Sequence, residues 1–252
     1  MDETNLHVTT IKKSFDIIEH LVQNESSGVS EIARSLEMPK STVYEHLSTL
    51  EELEFVVKEQ SGYRVSTKFL QYGGHTRNAM ELFTDAKPEL HELAETTGEH
   101  ACIVIEEHGQ GVILYTAEGK GPDQLVTTAG TRTQLHTNAS GKAILAHLPD
   151  ERVRRIAENS GMQQMTENTI TDPEKLLEEL ERVRERGYAK NYEERLKGMK
   201  AVAAPVLDRQ DNVLAAIAAY GPARRIDDTR IKKDLPERVL ETANVVEVTY
   251  NY

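Results

Sequence analysis

The sequence predicts an α+β protein with a small helical unit at its N-terminus and a larger mixed unit after it. Three observations carry that expectation. Helical periodicities fill roughly the first fifty residues, a strand-like alternation broken by a turn follows at once, and beyond Gly98 apolar strands dominate, interrupted by helices. The expected organisation is residues 1–72 for the first unit, 73–98 for a connecting helix and 99–252 for the second unit.

Apolar residues recur at Ile11, Phe15, Ile18 and Val22, with Ile17 and Leu21 beside them, which is the stripe of an amphipathic helix. Asn24 to Gly28 breaks it. Ser30 is placed to cap a second short helix through Ile32, Ala33 and Leu36, and Pro39 fits the first turn of a third. That third helix is expected to bury Val43, Leu47, Leu50 and Leu53. Three short helices with about three or four residues between the second and third are the layout of a helix-turn-helix. Alternation then begins at Phe55-Val56-Val57-Lys58, turns at Glu59-Gln60-Ser61-Gly62 and resumes at Tyr63-Arg64-Val65. This is a two-stranded wing, with Gly62 supplying the backbone freedom of the turn.

A winged helix-turn-helix implies double-stranded DNA as a partner. Lys40, Ser41, Thr42, Tyr44 and His46 lie near the start of the third helix and are types that contact phosphates or base edges. Other readings stay open: Ser41 or Thr42 as a helix cap, Tyr44 as a packed side chain, the whole unit as a small core with no DNA role. Lys12, Lys13, Arg34, Lys58, Arg64 and Lys68 are the cations such a unit could present alongside.

From Asn78 to Thr97 the apolar positions keep helical spacing, and Pro88 predicts a break or kink within the run. Strands are expected at Ala101–Ile105 and Val112–Tyr115, joined by a turn containing Gly109 and Gly111, and again at Gln124–Thr127. Cys102, in an apolar strand, reads as a packed thiol rather than a nucleophile. The Gly141-Lys142 pair is not a phosphate-binding loop, which would have glycine where His136 stands and Ser or Thr in place of Ala143. What remains is a polar turn opening a helix, capped by Asn138 or Ser140 or open to an anionic or polar ligand. A charged helix follows, capped by Asp172 or Thr171, begun by Pro173 and ended by Gly187. Two alanine-rich strands, Ala201–Leu207 and Val213–Tyr220, leave room on the inner face of a sheet for bulky helix side chains or for a ligand.

Composition narrows the class. One cysteine and no C-x-x-C pair imply a reducing compartment, the cytoplasm, without disulfides. The nine histidines show no paired metal-ligand spacing, and no Ser/His/Asp or Cys/His constellation supports an enzyme, so no metal, cofactor or catalytic residue is expected. No run approaches the ~18 apolar residues of a membrane span, so no membrane partner is expected. The net charge is −12, and residues 1–66 hold 12 acidic and 6 basic side chains. Phosphate attraction should therefore be modest, with binding resting on shape and base contacts. The acidic surface also fits a salt-rich cytoplasm, such as a halophile's.

Several stretches together resemble the IclR family of transcription regulators, from about Thr10 to about Val246. They are Thr42-Val43-Tyr44 with Leu47, Thr97-Gly98-Glu99, the run from Leu135-His136 through Ser140-Gly141-Lys142-Ala143 to Ala146, Gly187-Tyr188-Ala189 leading to Glu193-Glu194, Gly198, Ala203-Ala204-Pro205-Val206 and Gly221-Pro222. The resemblance implies a winged helix, a linker helix that helps dimerise, and a GAF-like effector domain with an antiparallel sheet. It further implies a homodimer or dimer of dimers controlling catabolic genes in response to a small-molecule effector. Three positions depart from the family pattern: Glu45 replaces a customary arginine, and Glu54 and Ser66 replace glycines. In relatives that take small oxo-acids, the resemblance implies effector contacts at Ala139 and Ser140 and at Asn191, Met199, Ala201, Ala218 and Tyr220. Here an acidic group, a thiol and two serines are exchanged for neutral or apolar residues. The pocket should then be less suited to a small carboxylate and take a larger or more apolar effector, aromatic or sugar-derived, or none.

Overall fold

A computed structural model of the protein describes residues 7–121 and 127–251. The chain divides into two units, Met1–Thr76 and Arg77–Tyr252. The first contains α1 (Thr9–Asn24), α2 (Val29–Ser35), α3 (Lys40–Glu52), a hairpin of β1 (Val56–Glu59) and β2 (Gly62–Val65), and most of α4 (Lys68–Asn78).

The helix-turn-helix and wing are present, with corrections in which residues do the work. In α1 the buried residues are Ile17, Ile18, His20 and Leu21, whereas Ile11, Phe15 and Val22 are all more than half exposed. The apolar residues of α1 cover more than one side, and α3 and β2, on which it packs, cover only the side of Ile17 and Leu21. Gly28, not Ser30, stands at the cap of α2, its carbonyl accepting from the N–H groups of Glu31 and Ile32. Pro39 sits one residue ahead of α3 rather than in its first turn. Val43, Leu47 and Leu50 are buried as expected, but Leu53 is the residue just past the helix and is 52% exposed.

The wing turn is tighter than the sequence implied, with Glu59 already paired to Gly62. Gly62 is required by close approach as well as by its φ of +145°: a Cβ there would lie 2.5 Å from the Ser27 carbonyl. Ser27 and Tyr63 exchange both backbone hydrogen bonds, which ties the α1–α2 connection to the wing. Glu54, at a glycine position of the family, has φ +63°, a left-handed conformation that disfavours a side chain. Ser66, at another, has gained a use: its hydroxyl donates to the Glu54 carbonyl at 2.5 Å and accepts from the N–H of Lys68, so it begins α4. From α4, Phe69 then packs tilted against Phe55 and Tyr72 stacks on it, with ring centroids 5.3 and 5.8 Å away.

The second unit opens with α5 (Glu81–Thr97). The break expected at Pro88 falls instead at Ala79–Met80, between α4 and α5, and α5 runs through Pro88. Pro88 and Thr84, whose carbonyl its missing N–H would have reached, are both exposed, which puts the lost hydrogen bond on the solvent side of the helix, where proline costs least. A six-stranded antiparallel sheet follows in the order β5-β4-β3-β8-β7-β6. Its strands are β3 (His100–Glu107), β4 (Gln110–Ala117), β5 (Arg132–Gln134), β6 (Ala189–Tyr192), β7 (Met199–Leu207) and β8 (Val213–Pro222). Gly111 lies in β4 rather than in the turn, and of the strand expected at Gln124–Thr127 only Thr127 falls among the described residues.

Alternation assigns the two faces of the sheet. Ala101, Ile103, Val202, Ala204, Ile217 and Ala219 pack with α5 and with α9 (Leu235–Asn251). Cys102, Val104, Ala203, Ala216 and Ala218 face α6 (Ala139–Leu145), α7 (Asp150–Ser160) and α8 (Pro173–Arg186). Asp172 is the α8 cap, its carboxylate accepting from the N–H groups of Glu174 and Lys175, and Gly187 ends the helix at φ +80°. β6, α7 and α9 were not anticipated as elements.

Candidate functional site

Each unit contains a candidate site. In the first, α3 follows α2 after Leu36–Pro39 and leaves Lys40, Ser41, Tyr44 and Glu45 exposed. Neither Ser41 nor Thr42 caps the helix, since both lie inside it and no side chain bonds its N-terminus. Tyr44 does not pack, being 56% exposed. Thr42 is half-buried, and so is His46, whose Nδ1 lies 2.8 Å from the Ser14 hydroxyl of α1.

The cations divide. Lys12 pairs with Asp16 at 2.7 Å, Arg64 with Glu59 at 2.5 Å, and Lys68 reaches Glu54 at 3.5 Å. Lys13, Arg34, Lys40 and Lys58 are exposed, and among the described residues none has an acidic partner. Glu45 is exposed on the same helix as Lys40 and Tyr44, so a carboxylate stands amid the groups suited to DNA.

In the second unit, a cavity lies between the sheet and the start of α6. All seven residues implied by the resemblance line it: Ala139 and Ser140 from α6, Asn191 from β6, Met199 and Ala201 from β7, Ala218 and Tyr220 from β8. The strand register accounts for much of this. Asn191 is opposite Ala201, Ala201 is opposite Tyr220, and Ala218 is opposite Cys102, so residues from three neighbouring strands and β3 share one face. Alanines there leave space that larger residues would fill, whereas Ala203 and Ala216 on the same face are packed into the core.

The α6 entry is set by a 3₁₀ turn, Leu135–Thr137, and by Asn138, whose side-chain oxygen accepts from the Gly141 N–H at 2.9 Å. A Cβ on Gly141 would stand 2.0 Å from the Leu135 carbonyl oxygen, so only glycine allows the turn to fold against the helix. Asn191 is engaged within the protein: its amide donates to the Thr137 carbonyl at 2.9 Å, and its oxygen accepts from the Glu194 N–H. The Tyr220 hydroxyl lies 3.0 Å from that of Thr127, and burial pushes its pKa up to about 12. Burial likewise raises the Cys102 thiol to about 12, so it lines the wall as a neutral, unreactive group.

Two features escape a reading of the strands alone. Lys142 and Glu194 form an enclosed ion pair at 2.5 Å, with side chains 2% and 8% exposed. Glu194 is further held through its carbonyl, which accepts from the Thr169 hydroxyl at 2.6 Å. Arg195, the next residue, also lines the cavity, and burial draws its guanidinium below the usual value. The available signal is the Glu193-Glu194 pair, which enters the family resemblance without Arg195. Among the described residues no cluster of His, Cys, Asp and Glu could hold a metal, and no helix is long and apolar enough to cross a membrane.

Comparison with known proteins agrees across both units. The family described as "IclR helix-turn-helix domain" matches residues 10–60, and "Bacterial transcriptional regulator IclR C-terminal" matches residues 75–248. The HTH-type transcriptional regulator BhcR of Paracoccus denitrificans is 31% identical over 238 residues, covering 94% of this chain and 85% of the relative. The crystal structure of the Thermotoga maritima IclR is 30% identical and superposes with a TM-score of 0.80 over 98% of this chain and 100% of that one. An IclR homolog complexed with 4-hydroxybenzoate, from Microbacterium hydrocarbonoxydans, shares the fold at a TM-score of 0.79 and 19% identity, covering 95% and 98% of the two chains.

Proposed function

The chain belongs to the IclR family of transcription regulators, and from that premise we propose that it reads its operator as a homodimer, or as a dimer of dimers, through the exposed face of α3. As a member of that family it is a DNA-binding regulator responsive to a small-molecule effector and not an enzyme. The observation that carries the proposal is that Lys40, Ser41 and Tyr44 are exposed and engaged in neither capping nor packing. Tyr44 and Ser41 offer hydroxyls to base edges or phosphates, and Lys40 at the start of the helix meets the backbone. Lys13, Arg34 and Lys58 supply further phosphate contacts, while Lys12 and Arg64 can exchange their exposed acidic partners for phosphate. Thr42 and His46, half-buried, position the helix more than they touch DNA.

The effector site is the cavity beneath α6, with Ala139, Ser140, Met199, Ala201, Ala218 and Tyr220 forming its wall and Asn191 holding that wall in shape. A relative of the same fold carries 4-hydroxybenzoate, which supports a pocket for a small organic molecule. Ligand occupancy biases the pose of the two winged helices in a dimer and so their fit to half-sites. The regulated genes are catabolic and the protein acts in the cytoplasm, where its buried free thiol stays reduced.

Light scattering on the eluting protein, together with footprinting on the gene's own upstream region, tests this reading. A dimer or tetramer mass with two protected half-sites, spaced by about one helical turn or a multiple of it, is expected. A monomer, or protection of a single half-site, would overturn the dimeric reading.

A further inference from the structure

The edge strand β6 gathers cations and aromatic rings on the face of the sheet that looks away from the cavity. Asn191 takes the cavity side, so alternation puts Tyr188, Lys190 and Tyr192 together on the other. The Lys190 ammonium stands over both rings, 5.9 and 6.0 Å from their centroids. Arg186 lies over Tyr188 at 5.3 Å, and Lys200, opposite Tyr192 in the strand register, lies over that ring at 5.9 Å. Three cations thus share two tyrosines.

The neighbouring cations are engaged. Arg186 pairs with Glu179 at 2.7 Å, Lys200 donates to the Ile226 carbonyl at 2.8 Å, and Lys232, in the helical turn Arg230–Asp234, pairs with Asp228 at 2.7 Å. Lys190 differs: it is half-buried, and among the described residues its ammonium has neither a carboxylate within ion-pair distance nor a hydrogen-bond acceptor. Burial lowers its pKa below the usual lysine value, and the charges of Arg186, Lys232 and Lys142 act in the same direction, with Glu179 opposing. Tyr192 adds no compensating charge, because burial raises its own pKa and keeps the ring neutral.

A lysine that is partly desolvated and set beside other cations gives up its proton more readily and becomes a nucleophile. The same cations draw anionic reagents toward it. An acyl phosphate answers both properties, since it joins an electrophilic carbonyl carbon to an anion, and Lys232 can turn from its exposed partner Asp228 to a phosphate at little cost. We propose that Lys190 is a modification site, acylated on its amine by an acyl phosphate. The lone pair of Nζ attacks the carbonyl carbon; the C–N bond forms as the bond from that carbon to the phosphate oxygen breaks, and phosphate leaves with the electron pair and takes the proton that nitrogen releases. The product is a neutral amide over the two rings, and the unpaired charge between Arg186 and Lys232 is gone.

The test is incubation of the full chain with millimolar acetyl phosphate, with acetylation of each lysine followed over time by peptide mass spectrometry. At about pH 7.5, Lys190 is expected to react about fivefold faster or more than the exposed, acid-free Lys13, Lys40 and Lys58. Its rate should level off at a lower pH than that of Lys13, which separates an activated amine from one that is merely reachable. Lys232→Glu reverses an exposed charge and should slow Lys190 by about threefold or more while Lys13, the internal reference for a folded chain, keeps its rate. With uncharged p-nitrophenyl acetate as donor, added potassium chloride should leave the Lys190 rate unchanged, whereas with acetyl phosphate it should lower it. Labelling of Lys190 no faster than that of the three surface lysines, a pH profile matching that of Lys13, or an unchanged rate in Lys232→Glu would overturn the proposal.

Discussion

In the N-terminal unit the ion pairs lie on the surface, Lys12 with Asp16 and Arg64 with Glu59, whereas the C-terminal unit encloses Lys142 with Glu194 and holds the buried Glu99 between Arg225 and Arg230 at 2.6 Å each. Exposed pairs of this kind contribute about 0–1 kcal/mol and are screened by salt. They can be traded for phosphate at little cost. Enclosed pairs fix geometry instead, because removing one member strands the other away from water. The described pairs of the first unit are thus of the exposed kind, whereas the second, beside exposed pairs of its own such as Arg132 with Glu107 and Arg154 with Glu174, also encloses pairs that fix its local geometry.

The comparison breaks most visibly at Lys142. Lys142→Met should destabilise the C-terminal unit by about 3–5 kcal/mol, read as a lowered urea midpoint, since Glu194 would be left enclosed without its cation. A loss below about 1 kcal/mol would mean that the pair behaves like a surface one. A smaller effect should come from pH. Burial lowers the pKa of His136 and His147, both in the C-terminal unit, below the usual imidazole value. The unfolded chain therefore takes up protons first as the solution is acidified. Their contribution to stability is complete above about pH 6.5 and is lost as pH falls from there through the folded values. Urea midpoints at about pH 7.5 and about pH 5.5 should differ in that sense; equal midpoints would contradict it.

On the exposed side, Glu45→Gln removes a carboxylate from the face of α3 proposed to meet DNA. Operator affinity should rise about fivefold, close to 1 kcal/mol, with less effect at high salt. Unchanged affinity would place Glu45 away from the phosphates. The smallest effect is expected for Lys12→Ala, which dissolves an i,i+4 pair and should change stability by less than about 0.5 kcal/mol, measured by thermal unfolding.

The same contrast governs how much of the protein was legible in its sequence. The wing and the order of the first three helices were readable because local periodicity and turn chemistry decide them. The buried side of α1 was not, because Ile11, Phe15 and Val22 match the helical stripe as well as Ile17 and Leu21 do, and only packing on α3 and β2 chooses between them. Pro88 does not break its helix, because the cost of proline depends on whether the freed carbonyl reaches water. Glu54 shows a rule tolerated in breach, a charged residue held at φ +63°. The cavity wall was legible through family resemblance to its strand positions. Arg195 and the partnership of Lys142 with Glu194 depend on contacts across more than fifty residues of chain or on an irregular loop, which spacing does not encode.

The division of labour between the units rests on α3 reading a sequence rather than merely attracting phosphate. Fluorescence anisotropy of the full chain with labelled upstream DNA and with a scrambled duplex of equal length, across a potassium chloride series, tests it directly. The account predicts saturable binding to the upstream DNA with a preference of about a thousandfold or more, retained as salt rises while both affinities weaken. Equal affinity for the two duplexes, or no binding at any salt, would contradict it.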